Sequence, residues 1–236
     1  MKLSAPIYRL KCAAKHLSRE PGIPLHEALD RIAVDEGFSR WSLLSNRIAN
    51  MAPSKVLFAR LDPGDLVLLA ARPGHGKTLM GLELTIEAMK SGRHGVIFNL
   101  EYGEADILAV FKSIGEDPAA FNHRFRFDCS DAISADYIME RLRPLPRGTV
   151  AVIDYLQVLD QKRDNPELMD QVTALKSFAD SRGLILVFIS QIHRSFNPCT
   201  RACPGEEDVR LPNPLDLSLF NKKCFLHDGE VKLLDG

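Results

Sequence analysis

The hydrophobic rhythm of the chain changes near residue 60. Upstream, apolar positions recur at helical spacing, and three short helices are predicted. Ile7–Leu17 reads as the first, broken by Pro21-Gly22. Pro24 stands at a helix start before the second, Leu25–Asp35, which carries Leu25, Ala28, Leu29 and Ile32 on one face. Gly37 is a stop signal, and Ser39 is placed to cap a third helix bearing Trp41, Leu43, Leu44 and Ile48. Trp41 is the expected centre of this small core. The stretch Asn50–Ser54, which includes Pro53, reads as a linker. The expected organisation is thus a helical module over 1–50, a linker over 51–57 and a second domain over 58–236.

Downstream of Leu61 the pattern becomes short apolar runs alternating with amphipathic segments. LVLLA (66–70), VIFNL (96–100), FRF (125–127), TVAVID (149–154) and LILVFIS (184–190) read as strands. Helices are expected after Gly76 and from about Ala105, Ala135 and Glu167. Strands that are nearly all Val, Ile and Leu, separated by helices, predict an α/β fold: a mostly parallel sheet covered on both faces. CFLH-DG-EVKLL (224–234) is apolar, turn, apolar, and predicts a C-terminal β-hairpin.

Composition narrows this picture only a little. The 236 residues suffice for a full core plus a small module. No apolar run approaches the roughly 20 residues of a membrane span. The opening MKLSAPIYRLKCAAKHLS lacks the continuous apolar run of a signal peptide. Five cysteines at 12, 129, 199, 203 and 224 form no framework, which points to reduced thiols and a cytoplasmic protein. Net charge is −1, unevenly spread: residues 1–60 hold ten Lys/Arg against five Asp/Glu. Lys2, Arg9, Lys11, Lys15 and Arg19 precede the first acid, a modest basic footprint for a polyanion at the N-terminus.

Candidate chemistry sits at the ends of the predicted strands. ARPGHGKT (71–78) follows one strand and opens a helix, the setting a phosphate-binding loop requires, with Ala71 in place of the usual first glycine. That position needs a small side chain, which Ala supplies. Gly74 and Gly76 free the backbone to turn its N–H groups inward, and the following helix adds its positive end. Arg72, Pro73, Gly74, His75, Gly76, Lys77, Thr78 and Leu79 are the candidate nucleotide-binding set, with the His75 side chain itself expected to face solvent. Lys77 is placed to reach the β- and γ-phosphates and Thr78 to hold Mg²⁺ through its hydroxyl. Asp154 ends a buried strand, where a carboxylate can organise Mg²⁺. Glu101, directly after VIFNL, is the candidate catalytic base, and Gln191, in SQIHRS (190–195), a candidate γ-phosphate contact.

These blocks together resemble the ATPase domain of DnaB-type replicative helicases within the RecA-like superfamily. The resemblance runs through LVLLAARPGHGKT, FNLE, VIDYLQ (152–157), SQIHRS and DVR (208–210), and covers about residues 58–227. It implies a RecA-like P-loop fold, ATP and Mg²⁺ as cofactors, Lys77, Glu101 and Gln191 as catalytic residues, and Thr78 and Asp154 as Mg²⁺ ligands. It also implies a homo-oligomer, hexameric if helicase-like, with Gln157 and the 195–210 loop toward a channel for single-stranded DNA. Within these 236 residues a small helical module is expected in place of the family's large N-terminal primase-binding domain, and no clear counterpart of its trailing Lys-x-Arg arginine finger is expected. The 195–210 loop is poor in bases. The expected function is therefore an ATPase acting on or near DNA, with weak or partner-dependent hydrolysis and a protein partner for residues 1–50. The alternative is an ATP-dependent regulatory switch similar to KaiC- or RadA-like proteins, or a DNA-binding adaptor.

Overall fold

The computed structural model describes residues 4, 7–19, 23–50, 53–160, 165–197, 201, 203–211, 213–227 and 230–235. They divide into two compact units, Met1–Val56 and Leu57–Gly236. The expected breaks at Pro21-Gly22 and at the Asp228-Gly229 turn lie outside the described residues, as does Cys199.

The first unit holds three helices: α1 (Ile7–Leu17), α2 (Leu25–Asp35) and α3 (Trp41–Asn50). Pro24 precedes α2 with an extended backbone, as a residue that cannot donate into the helix should. Gly37 takes the left-handed conformation (φ 85°) that ends α2. Two expectations change here. The backbone N–H that opens α3, on Trp41, is held by the Asp30 carboxylate of α2 at 2.7 Å, where the sequence pointed to Ser39. Leu44, with Ala28 and Ala33, fills the interior, while Trp41 is only partly buried.

Residues expected to continue as linker instead form α4 (Pro53–Phe58). Pro53 opens it at the position where a missing N–H costs nothing, and Leu57 is buried in the core of the second unit.

The second unit is a seven-stranded sheet of β1 (Leu66–Ala71), β2 (Gly95–Asn99), β3 (Phe125–Asp128), β4 (Val150–Asp154), β5 (Ile185–Gln191), β6 (Lys222–His227) and β7 (Glu230–Asp235). Their order is β3-β2-β4-β5-β1-β6-β7, and every pairing is parallel except the β6–β7 hairpin. The intervening helices are α5 (Lys77–Lys90), α6 (Glu104–Ser113), α7 (Ala135–Leu142) and α8 (Leu168–Arg182). The expected α/β fold with a terminal hairpin is borne out, and strand ends fall within a residue of those read from the apolar runs, except that β6 begins two residues before Cys224.

Alternation along each strand sends side chains into two separate layers. From β1, Leu66, Leu68 and Ala70 join Ile138, Leu142, Val172 and Leu175 of α7 and α8. Val67, Leu69 and Ala71 join Met80, Leu84, Ile107 and Phe111 of α5 and α6. Burial on both sides explains why these strands carry no polar face. Helix α5 lies unusually near the sheet. A Cβ at Gly81 would come 3.0 Å from both Ile189 Cδ1 and Val152 Cγ1, so glycine at 81 sets how closely α5, and the loop at its start, approach β4 and β5.

Candidate functional site

Four strands deliver their C-terminal ends to one edge of the sheet, and the candidate residues lie there. β1 is followed by the turn 72–76, in which Gly74 (φ 79°) and Gly76 (φ 82°) both adopt left-handed backbone. No protein atom lies within 4 Å of where a Cβ would sit at either. The backbone angle, rather than crowding, selects glycine there. Ala71 is still a strand residue, buried and paired with both Gln191 of β5 and Leu226 of β6. A small side chain fits that place, and the departure from the usual first glycine is thereby explained. Gly76 is the N-cap of α5, so Lys77 and Thr78 occupy its first turn, beside N–H groups that no helical carbonyl satisfies.

The Thr78 hydroxyl donates to Asp154 Oδ2 at 2.8 Å, joining residues 76 apart in sequence. Asp154 is 2 % exposed at the end of β4. A second donor, Asn99 Nδ2 at the end of β2, reaches the same oxygen at 3.1 Å. Burial pushes the Asp154 carboxyl above its ordinary 3.8; the Glu101 charge pushes the same way, while the Thr78 and Asn99 bonds and the Lys77 charge pull it down. A carboxylate held in that balance is short of positive charge. Together with the Thr78 hydroxyl it forms a pair of hard oxygen donors of the kind Mg²⁺ takes.

Asn99 was not singled out by sequence, yet it organises this corner. Its Oδ1 accepts the backbone N–H groups of Glu101 (2.6 Å) and Tyr102 (2.8 Å), turning the chain out of β2. Glu101 is exposed, near enough for its charge to act on Asp154. Tyr102 swings over a cavity of about 280 Å³ beside the glycine turn, lined by Gly74, Gly76, Lys77, Thr78, Leu79, Leu82, Ile107 and Val110. Leu79 and Tyr102 are exposed apolar side chains there. The glycine-turn motif marks five of these liners, but no local motif marks Leu82, Tyr102, Ile107 and Val110, which come from the rest of α5, the chain after β2 and α6.

Gln191 closes β5, partly buried, and its carbonyl accepts the Arg210 N–H at 2.7 Å. Gln157, expected toward an open channel, donates through Nε2 to the Arg210 carbonyl at 2.7 Å and faces Ser190 Oγ at 3.4 Å. An isolated bridge between Ile192 and Val209 completes this pinning of the loop after β5. Arg72 Nη2 donates to the Arg194 carbonyl at 3.2 Å, tying the glycine turn to the same loop. His75 departs from expectation. Its ring lies stacked on that of His227, centroids 5.1 Å apart and 11° between planes.

A parallel sheet whose first strand leads through a doubly left-handed glycine turn into a helix, with a threonine bonded across to a strand-end aspartate, defines a RecA-like P-loop ATPase domain. The chain belongs to the KaiC ATPase family, whose model matches residues 54–202. It is similar to the replicative DNA helicase DnaB of Synechocystis sp., 26% identical over 184 residues, which are 64% of this chain and 21% of that protein. The corresponding helicase of Buchnera aphidicola is 25% identical over 197 residues, 68% of this chain and 42% of that one. The chain thus spans less than half the length of either helicase. Among solved structures, a DnaB-like replicative helicase superposes with a TM-score of 0.59 at 15% identity, covering 97% of this chain and 70% of that one, and shares its fold. The resemblance to a DnaB-type ATPase domain read from the ordered blocks is borne out. No helix among the described residues is long and apolar enough to cross a membrane.

Proposed function

We propose that this chain binds and hydrolyses Mg-ATP and acts on or near single-stranded DNA as a DnaB-like motor, with turnover that depends on a neighbouring copy or partner. The observation that carries the reading is the 2.8 Å bond between Thr78 and Asp154 beside the open glycine turn. The two oxygens suit Mg²⁺, and Thr78 and Asp154 are the residues that would hold it; the ion, when bound, supplies charge neutralisation for phosphoryl transfer. Backbone N–H groups of the turn and the ammonium of Lys77 cradle the phosphates, and the apolar cavity under Tyr102 receives the base. Glu101, exposed and held in place through its N–H on Asn99, orients the attacking water as general base. Gln191, whose own carbonyl holds Arg210, contacts the γ-phosphate.

Dependence on a neighbour is part of the same reading. Arg72 is engaged with the Arg194 carbonyl. A cation for the charge that develops in phosphoryl transfer is assigned, by the likeness to the ring-forming family, to an adjacent copy, a contribution worth on the order of 10³–10⁵ in rate. Residues 1–50 are the proposed contact for a protein partner. The test is ATP binding and turnover, with and without single-stranded DNA, alongside solution mass with ATP. Lys77→Ala should weaken ATP binding about ten- to hundredfold; a variant that binds and hydrolyses like the parent would sink the reading.

A second reading, an ATP-dependent regulatory switch, is favoured by one observation. Arg201, one of the few bases after β5, is spent on Glu207 and on Asp208 at 2.8 Å rather than offered to a phosphate backbone. DNA-stimulated turnover with strand separation by the isolated protein would decide for the motor.

A further inference from the structure

The side chain of His75 is the handle of the glycine turn, since both its neighbours lack one. It is half-buried rather than turned wholly to solvent. β6 runs parallel to β1 with Leu226 opposite Ala71, so the next residue, His227, lies alongside the turn. The two imidazoles stack. On its other side His227 meets the edge of Phe196, centroids 5.2 Å apart at 83°. Phe196 is buried, and the Arg201 guanidinium lies over its face at 5.6 Å. Arg201 is paired with Asp208, whose carbonyl accepts the His193 N–H at 2.8 Å and whose carboxylate accepts the Gly205 N–H at 2.9 Å. An unbroken column of rings and charges therefore runs from the glycine turn through the end of β6 into the loop after β5.

We propose that His75, His227 and Phe196 are positioning residues that couple the conformation of the glycine turn to that of residues 192–197 after β5. The functional meaning of the coupling rests on the ATP-binding reading above; the coupling itself does not. The glycines make the turn pliable, and the stack is one of the contacts that support it from outside. A ligand that changes the turn moves the His75 ring, and His227, fixed in the sheet by its backbone, transfers the change to Phe196. The Arg72 bond to the Arg194 carbonyl is a second tie between the same two segments. Ties in parallel make the turn and the loop move together. Plain packing, in contrast, would confine the effect of removing a ring to the residues touching it.

The experiment is amide hydrogen exchange on the full chain without nucleotide. Phe196→Ala, two ring contacts from His75, should speed exchange at Gly74–Lys77 by on the order of fivefold, and His227→Ala should speed it there and at His193–Asn197 by up to about tenfold, as the loss of one or two aromatic pairs predicts. His227→Phe keeps a ring in the column and should exchange like the parent at both places. His75→Ala, which alters an exposed turn and leaves the core intact, should speed exchange at His193–Asn197. If Phe196→Ala and His75→Ala each change only their own segment, the column transmits nothing and the proposal falls. Adding Mg-ATP separates the two claims. In the parent and in His227→Phe it should slow exchange at His193–Asn197, and in His227→Ala it should not. A parent chain that ignores ATP would remove the ATPase reading, while the exchange measured without nucleotide still decides the column.

Discussion

The two units of this chain bury their apolar residues in opposite ways. In the ATPase unit all six residues of β1 are buried, and its paired strands, β5 and β6, come from more than a hundred residues further along the chain. In the helical unit, Ala28, Ala33 and Leu44 are buried but Leu25, Leu43 and Val34 stay 43%, 52% and 60% exposed. The first unit is held by neighbouring helices, and the second by pairings between segments far apart in sequence. The difference teaches where chemistry can be built. Only the unit with non-local pairing brings Thr78, Asn99 and Asp154 to one point.

The contrast can be broken or sharpened by substitution. Leu69→Ala leaves a cavity between β1 and α5 and should cost about 2–5 kcal/mol. Calorimetry should show the ATPase transition falling with that of the helical unit unmoved; one shared transition that shifts whole would break the comparison. Gly81→Val drives two methyls toward Ile189 and Val152 and should cost about 1–3 kcal/mol. Because α5 must rise off the sheet, nucleotide affinity should fall with it, and a variant that lost stability alone would show that the stand-off of α5 does not set the loop. Asp154→Asn tests the buried carboxyl with the opposite sign. Its pKa is raised in the folded state, so its favourable contribution is full below 3.8 and is lost as pH rises through the raised value. Near neutral pH the Asn variant should melt higher than the parent without Mg²⁺, with the gap closing below 3.8, and Mg²⁺ should no longer strengthen ATP binding. Val34→Ser on the helical unit removes an already wet side chain and should change stability by less than about 0.5 kcal/mol in denaturant titration.

What could be read without coordinates follows the same divide between near and far. Strand and helix positions were legible because they depend on side chains two, three or four residues apart. The glycine turn was legible because its whole pattern lies within eight residues. The linker was misjudged at Pro53, since proline before a short apolar stretch serves a helix start as well as a break; only the burial of Leu57 decides. Asn99 and Tyr102 were missed for a different reason. Asn99 joins a local turn to Asp154 on another strand, and Tyr102 lines a cavity with residues of α5 and α6; those distant partners are not announced by the sequence beside them. His75 was misplaced on the same ground: its neighbour, His227, is brought in by the register of β6 against β1.

The Thr78–Asp154 bond has a consequence in time as well as in space. β1 and β4 are not adjacent; β5 lies between them, so the two ends meet only when residues 185–191 have slotted in. During synthesis the glycine turn leaves the ribosome on the order of a hundred residues before that strand, about 5–20 s at ordinary elongation rates. A growing chain thus carries the loop long before it carries the paired oxygens. On the proposed roles of these residues, the phosphate cradle would be made first and its metal-holding pair would be completed only with the last central strand, so that Mg²⁺-dependent turnover would come with that strand rather than with the motif.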